Sequence, residues 1–272
     1  MSRPGRRRDI ISSPTNRRVK ALVRLRNRRE RDRESLFVVE GCREVRRALA
    51  WRSQMLEVYR CPSLLPPEGD QKLLAGLGGA VEIVELSEPV FRKASYRERP
   101  DGLLAVLRQP LLHLSSLRLG STPLVLVVEA VEKPGNLGAM LRTAESAGVE
   151  AVVVADPITD VFNPNVVRAS LGSLFTLPLA VAPGPQVLEW LRRQGMTVIA
   201  TSPAAERLSW DVDLQGRAAV VIGSEHRGLS DLWLSGADRQ VRIPMSGTVD
   251  SLNANTAAAV VLFEARRQRS NG

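Results

Sequence analysis

Five consecutive apolar residues, Leu124-Val125-Leu126-Val127-Val128, constrain the architecture more tightly than anything else in this 272-residue chain. A run with no polar side chain on either face suits a strand covered on both sides. It is far shorter than the roughly 20 residues that would cross a bilayer, and no other apolar run approaches that length, so a membrane protein is not expected. Similar short runs recur downstream between segments of helical periodicity. They predict strand 124–128, helix 136–147, strand 151–155, helix 165–171, strand 178–181, helix 186–194 and strand 197–200. Strand 218–222, a short helix 231–234, strand 240–243 and helix 253–267 complete the series. Strands alternating with helices make a predominantly parallel α/β sheet.

The first third reads as a smaller α/β module. Strands are expected at 36–40, 56–59, 81–84 and 102–107, with helices at 42–52, 70–77 and 87–94. The alternation predicts parallel pairing here too. A polar stretch at 112–122 is the linker, so the expected domains are a basic segment 1–33, a small α/β module 34–111, and a larger domain 123–272.

Charge sets the first 33 residues apart. They hold 13 of the 38 Lys and Arg and three of the 29 acids, a net +10, and leave 25 basic and 26 acidic residues for the rest. Such a segment releases counterions on meeting phosphates, which points to nucleic acid. Val19, Leu22, Val23 and Leu25 fall at near-helical spacing among the arginines, so a basic amphipathic helix is expected after a disordered lead of about ten residues. Arg17, Arg18 and Arg24 are its candidate nucleic-acid contacts. Cys42 and Cys61 form no Cys-x-x-Cys or Cys/His group, and no apolar leader opens the chain, so a reducing cytoplasm and no metal are expected. There is no intact GxGxxG and no GxxxxGK[ST], which argues against a nucleotide-dependent enzyme of the doubly wound type. The run Gly76-Leu77-Gly78-Gly79-Ala80-Val81 lacks the last glycine and follows a helix.

Three polar islands stand where apolar strands end, the edge at which open α/β sheets collect ligands. The first is Asn136-Leu137-Gly138-Ala139-Met140-Leu141-Arg142. Its Leu137, Met140, Leu141 and Ala144 share one helical face, with Arg142 on the other. Taken alone, Arg142 reads as a solvated surface arginine and Asn136 as a helix N-cap. The second island is Gly223-Ser224-Glu225-His226-Arg227-Gly228-Leu229-Ser230. Gly223 is the residue type that lets a ligand approach the backbone, and Glu225 reads as a turn carboxylate or as a site group. The third joins Ile243-Pro244-Met245 to Ser251-Leu252-Asn253-Ala254-Asn255, whose polar side chains could simply cap the last helix. Thr201 and Ser202, at the end of a further strand, are placed to line the same pocket.

In order and residue type, these islands resemble the motifs of the SpoU/TrmH family of RNA ribose 2′-O-methyltransferases, from about residue 124 to 267. The resemblance implies S-adenosyl-L-methionine as cofactor, held by the backbone around Gly223, Ile243 and Leu252 with Met245 beside them. It implies that Asn136 and Arg142 meet the RNA phosphate and the reacting ribose, and that Glu225, Ser251 and Asn253 face the reacting groups. No role falls to His226. Asn163-Pro164-Asn165-Val166-Val167-Arg168 also follows the family form, either as a capped structural helix or with Arg168 on RNA. A deep trefoil knot at the C-terminus and a homodimer through the catalytic domain are further implications. The N-terminal module resembles the substrate-binding domain of ribosomal RNA members, including those conferring thiopeptide resistance, which favours ribosomal over transfer RNA. A free arginine is a poor base, so Arg142 either takes the 2′-hydroxyl proton with help or orients the ribose.

Overall fold

The computed structural model describes residues 10–67, 73, 76–77, 81–248 and 251–270. The chain forms two compact units, one from the N-terminal 110 residues with the short segment Phe162–Arg168, the other from the remainder.

The first unit is built on a four-stranded sheet of β1 (Leu36–Glu40), β2 (Met55–Arg60), β3 (Glu82–Glu85) and β4 (Leu103–Arg108), in the order β1-β4-β2-β3. Only β2 and β3 are parallel; β4 runs antiparallel to both β1 and β2. The expected all-parallel pairing is therefore corrected to a mixed sheet. Apolar runs report that a strand is covered, not which way it runs. The predicted helix 70–77 lies mostly outside the described residues, as do the start of the chain and half of the 76–81 glycine run.

Two helices open this unit, α1 (Arg17–Arg24) and α2 (Arg28–Glu34). Each starts on an asparagine whose side-chain oxygen accepts a backbone N–H, Asn16 from Arg18 and Asn27 from Arg29, both at 2.9 Å. Val19, Leu22 and Leu25 are buried with Tyr59, Val84, Val90, Phe91 and Val106. The described part of the basic stretch is thus built into the first unit rather than standing apart from it. Arg31 is 1% exposed and donates to the carbonyls of Leu25 at 2.9 Å and Arg26 at 2.8 Å. It satisfies acceptors left open at the end of α1. Helix α3 (Cys42–Ala48) is shorter than the predicted 42–52 and ends in a 3₁₀ turn, while α4 (Glu88–Ala94) matches its prediction closely. Cys42 and Cys61 are buried free thiols.

The second unit carries seven parallel strands in the order β7-β6-β5-β10-β8-β11-β9. In chain order these are β5 (Leu124–Glu129), β6 (Ala151–Ala155), β7 (Leu179–Ala182), β8 (Thr197–Thr201), β9 (Arg207–Leu208), β10 (Ala218–Ile222) and β11 (Arg239–Arg242). The helices are α5 (Pro134–Ala147), α7 (Gly184–Arg193), α8 (Asp231–Gly236) and α9 (Ala254–Ser270); α6 (Pro164–Ala169) lies between β6 and β7 in the chain, but its residues up to Arg168 belong to the first unit. The two-residue β9 is too short to carry a pattern and has no counterpart in the sequence reading. Strands β5 and β10, adjacent at the centre, are buried at every position, as their unbroken apolar runs require. The polar stretch 112–122 does not hang free: Leu112 accepts the Val181 N–H at 2.9 Å, and Leu117 is buried in the core of this unit.

Candidate active site

Because all seven strands are parallel, their carboxyl ends open on one edge. The loops after β5, β8, β10 and β11 meet there. A cavity of about 460 Å³ lies at this edge. Its wall includes Thr201 and Ser202 after β8, Gly223 after β10, Ile243 and Met245 after β11, and Leu252 before α9. All six candidate cofactor residues are thus brought together, with Glu225 and Ser251 on the same wall. Leu229, Leu234, Ala254 and Ala257 complete the apolar surface; Leu229 and Ala254 stand within the second and third islands, whereas nothing separates Leu234 and Ala257 in sequence from ordinary core residues. A volume within about 300–1,000 Å³ and a mostly apolar lining with few polar groups suit a small organic ligand.

Gly223 has a cause other than the expected ligand approach. A Cβ there would come within 2.2 Å of the Gly228 backbone, because the loop folds back on itself. Ser224 and Gly228 exchange backbone hydrogen bonds at 3.1 and 3.0 Å, and Gly228 turns the chain at a φ of 65°. Glu129, buried at the end of β5, fixes the far end of the loop by accepting the Ser230 N–H at 2.9 Å and its hydroxyl at 2.5 Å. The Thr201 hydroxyl is committed to the Val221 carbonyl at 2.9 Å.

Beside the cavity the three islands converge on one carboxylate. Asn136 Nδ2 donates to Glu225 Oε1 at 2.6 Å, and Asn253 Nδ2 donates to the same oxygen. Asn253 Nδ2 also reaches Asn136 Oδ1 at 3.3 Å. Lys133 Nζ holds the other oxygen, Oε2, at 2.5 Å. Hydrogen bonding from Lys133 first, then from Asn136 and the Ala254 backbone N–H, keeps the Glu225 carboxyl below its ordinary value despite some desolvation.

Asn136 is not the N-cap of α5. That helix starts two residues earlier at Pro134, a residue suited to a first helical turn, and Lys133 occupies the cap. The Asn136 side chain is thereby released to Glu225. Asn253 does serve as a cap, since its Oδ1 accepts the Asn255 N–H at 3.0 Å, while its amide still reaches Glu225. Arg142 stands apart from this cluster. It lies six residues along α5 from Asn136, a rise of about 9 Å, with its side chain exposed. Arg168 is exposed at the end of α6, within the segment that belongs to the first unit; there Asn163 caps the helix by accepting the Asn165 N–H at 2.9 Å.

The candidate RNA contacts of α1 separate as well. Arg18 is paired with Glu82 at 2.8 Å and Glu57 at 3.6 Å, and the Glu82 hydrogen bond raises its pKa further. Arg17 is exposed, and Arg24, 60% exposed, has Glu30 at 3.9 Å. Among the described residues, no group of three or more His, Cys, Asp or Glu is placed to hold a metal ion, and no helix is long and apolar enough to cross a membrane.

Residues 123–263 match the model of the SpoU rRNA methylase family, and residues 16–105 match that of an MRM3-like substrate-binding domain. The Bacillus subtilis 23S rRNA (guanosine(2553)-2′-O)-methyltransferase is 28% identical over 256 residues, 94% of this chain and 98% of its own. A crystal structure described as an RNA 2′-O ribose methyltransferase superposes with a TM-score of 0.84 at 42% identity, covering 96% of this chain and all of its own. The AviRb methyltransferase of Streptomyces viridochromogenes, solved with AdoMet, gives a TM-score of 0.85 at 29% identity, covering 94% of this chain and 99% of its own.

Proposed function

Because this chain belongs to the SpoU rRNA methylase family, we propose that it transfers a methyl group from S-adenosyl-L-methionine to a ribose 2′-hydroxyl of 23S-type ribosomal RNA. The observation that carries this reading is the junction of the 460 Å³ cavity with the Asn136–Glu225–Asn253 cluster at one sheet edge. Relatives that match along nearly the whole chain, and whose names specify 23S rRNA, favour ribosomal over transfer RNA.

The residues present fit the cofactor. Backbone groups at the ends of β8, β10 and β11 offer hydrogen bonds to adenine and ribose, and the apolar wall suits the purine faces. S-adenosylmethionine bound there supplies an electrophilic methyl on a sulfonium. The chain's own residues must hold the RNA hydroxyl in line with it, a positioning task that supplies much of the rate in such displacements. Glu225, ionised and bonded through both oxygens, orders the Asn136 and Asn253 amides around the reacting ribose. Ser251, on the cavity wall, faces the same groups. Arg142 forms no ion pair with a carboxylate among the described residues. A guanidinium so placed orients the ribose or its phosphate and stabilises developing charge, rather than acting as the base.

Arg142 is also outside the wall of its own chain's cavity, which supports a homodimer in which each Arg142 serves the partner's site. Val260 and Phe263, one turn apart on α9, are 38% and 49% exposed, an apolar surface that a second copy would cover. We read the C-terminal segment through α9 as threaded in the family's trefoil knot. Arg17 and Arg24 extend the RNA footprint onto the first unit, with Arg168 as a further contact.

The test is transfer of labelled methyl from S-adenosylmethionine to purified 23S rRNA, with the product mapped as a nucleotide whose 3′ linkage resists alkali. Base methylation, or methylation of tRNA alone, would overturn the substrate assignment.

A further inference from the structure

Lys133 stands where helix physics would not put it. At the N-cap of α5 the favoured residues are Asn, Asp, Ser and Thr, whose side chains accept a backbone N–H. Lysine cannot accept, and its charge opposes the positive end of the helix dipole. No side-chain cap bond forms there. A residue that breaks a local rule without a local gain points to a task elsewhere.

That task is visible in the bonding of Glu225. The carboxylate side chain is 17% exposed, whereas Lys133 is 61% exposed and reaches over it from the start of α5. The two oxygens are divided: Oε2 takes Lys133 Nζ at 2.5 Å, and Oε1 takes the amides of Asn136 and Asn253. Without the ammonium, the carboxylate could rotate about its last bond and exchange its oxygens. The two amides, from helices more than 100 residues apart in the chain, would lose their common acceptor. We propose that Lys133 is a positioning residue of this site, anchoring one oxygen of Glu225 so that the other sets the orientation of Asn136 and Asn253.

The inference rests on the methyltransferase reading only for its kinetic consequence. The charged and polar groups around Glu225 are Lys133 and Asn136 at the start of α5, Glu132 in the same small recess, and Asn253 with the Ala254 N–H at the start of α9. On its own loop, Ser224, His226 and Arg227 flank it. Lys133 is the only one of these cations bonded to the carboxylate among the described residues.

The experiment uses the full chain with Lys133→Met and Lys133→Arg. In the free protein, carbon-detected NMR of labelled glutamate, with Glu225→Gln for assignment, follows the Glu225 carboxyl. Lys133→Met should move its titration upward and Lys133→Arg should not. Turnover of Lys133→Met should fall roughly ten- to hundredfold, the cost of misplacing groups by about an ångström. The acid limb of its pH profile should move up, while cofactor affinity and melting temperature stay at the wild-type values and Lys133→Arg recovers turnover. An unmoved Glu225 titration overturns the proposal. So does a defect confined to the KM for RNA with a flatter salt dependence, which would make Lys133 a phosphate contact. A wild-type protein that methylates no RNA would sink the methyltransferase reading alone, because the NMR titration is read without turnover.

Discussion

Asn253 performs two tasks with the two ends of one amide, capping α9 through Oδ1 and bonding Glu225 through Nδ2. Serine can supply the first function but not the second. Asn253→Ala should therefore lose about 1 kcal/mol of stability with the cap together with turnover, whereas Asn253→Ser should keep the melting temperature and still lose turnover. Equal melting temperatures for the two variants would remove the capping role. At Gly223, a single methyl would meet the Gly228 carbonyl carbon at 2.2 Å. Gly223→Ala should displace the loop that carries Glu225 and weaken cofactor binding, measured by calorimetry. Arg142→Ala should abolish methyl transfer and leave cofactor affinity unchanged, since Arg142 is not on the cavity wall. A variant defective only in cofactor binding would contradict that placement. Residue types and order were legible in the sequence at all these positions, but their division of labour was not. Capping and catalysis ask for the same small amides, and only the start of α5 at Pro134 separates Asn136, which caps nothing, from Asn253, which does.

Helices α1 and α2 illustrate how far periodicity and charge can each be read. The spacing of Val19, Leu22, Val23 and Leu25 predicted a helix with an apolar face, and all but Val23, which is half-buried, are in the core. The charge reading treated the arginines as one class, although Arg18 is paired with two glutamates and Arg31 is buried on backbone carbonyls. Partners 64 residues away, or on the main chain, leave no local signal. Deleting residues 1–33 should therefore unfold the first unit rather than trim a tail, seen as lost cooperativity in its melting transition. Arg17→Gln and Arg24→Gln should instead keep the fold and reduce the salt slope of RNA binding by about 0.7 to 0.9 for each phosphate no longer neutralised. Arg18→Gln should cost little in that slope, because Arg18 is already engaged. Among the strands, β10 and the apolar centres of its neighbours were read to within a residue or two. The direction of β4 was not, since burial on both faces looks the same for parallel and antiparallel partners.

For the whole molecule, the exposed Val260 and Phe263 face predicts a homodimer. Val260→Glu with Phe263→Glu should halve the mass measured by light scattering, and a wild-type monomer at micromolar concentration would refute the dimer outright. If Arg142 serves the partner's site, mixing inactive Arg142→Ala with inactive Asn253→Ala subunits should restore part of the activity through heterodimers carrying one intact composite site. Without restoration, each site lies within a single chain. The packing of the last helix has a consequence for synthesis. Asn253 caps helix α9, which lies against α5, where Thr143 donates to Asn255 at 2.9 Å. Strands β5 to β7 pair among themselves and leave the ribosome well before this helix, whereas the cavity wall at Leu252 and Ala257 follows the whole sheet. A nascent chain therefore carries Glu225 for some time without one of its amides, so the Asn136–Glu225–Asn253 cluster is completed only after every strand of the sheet has been made.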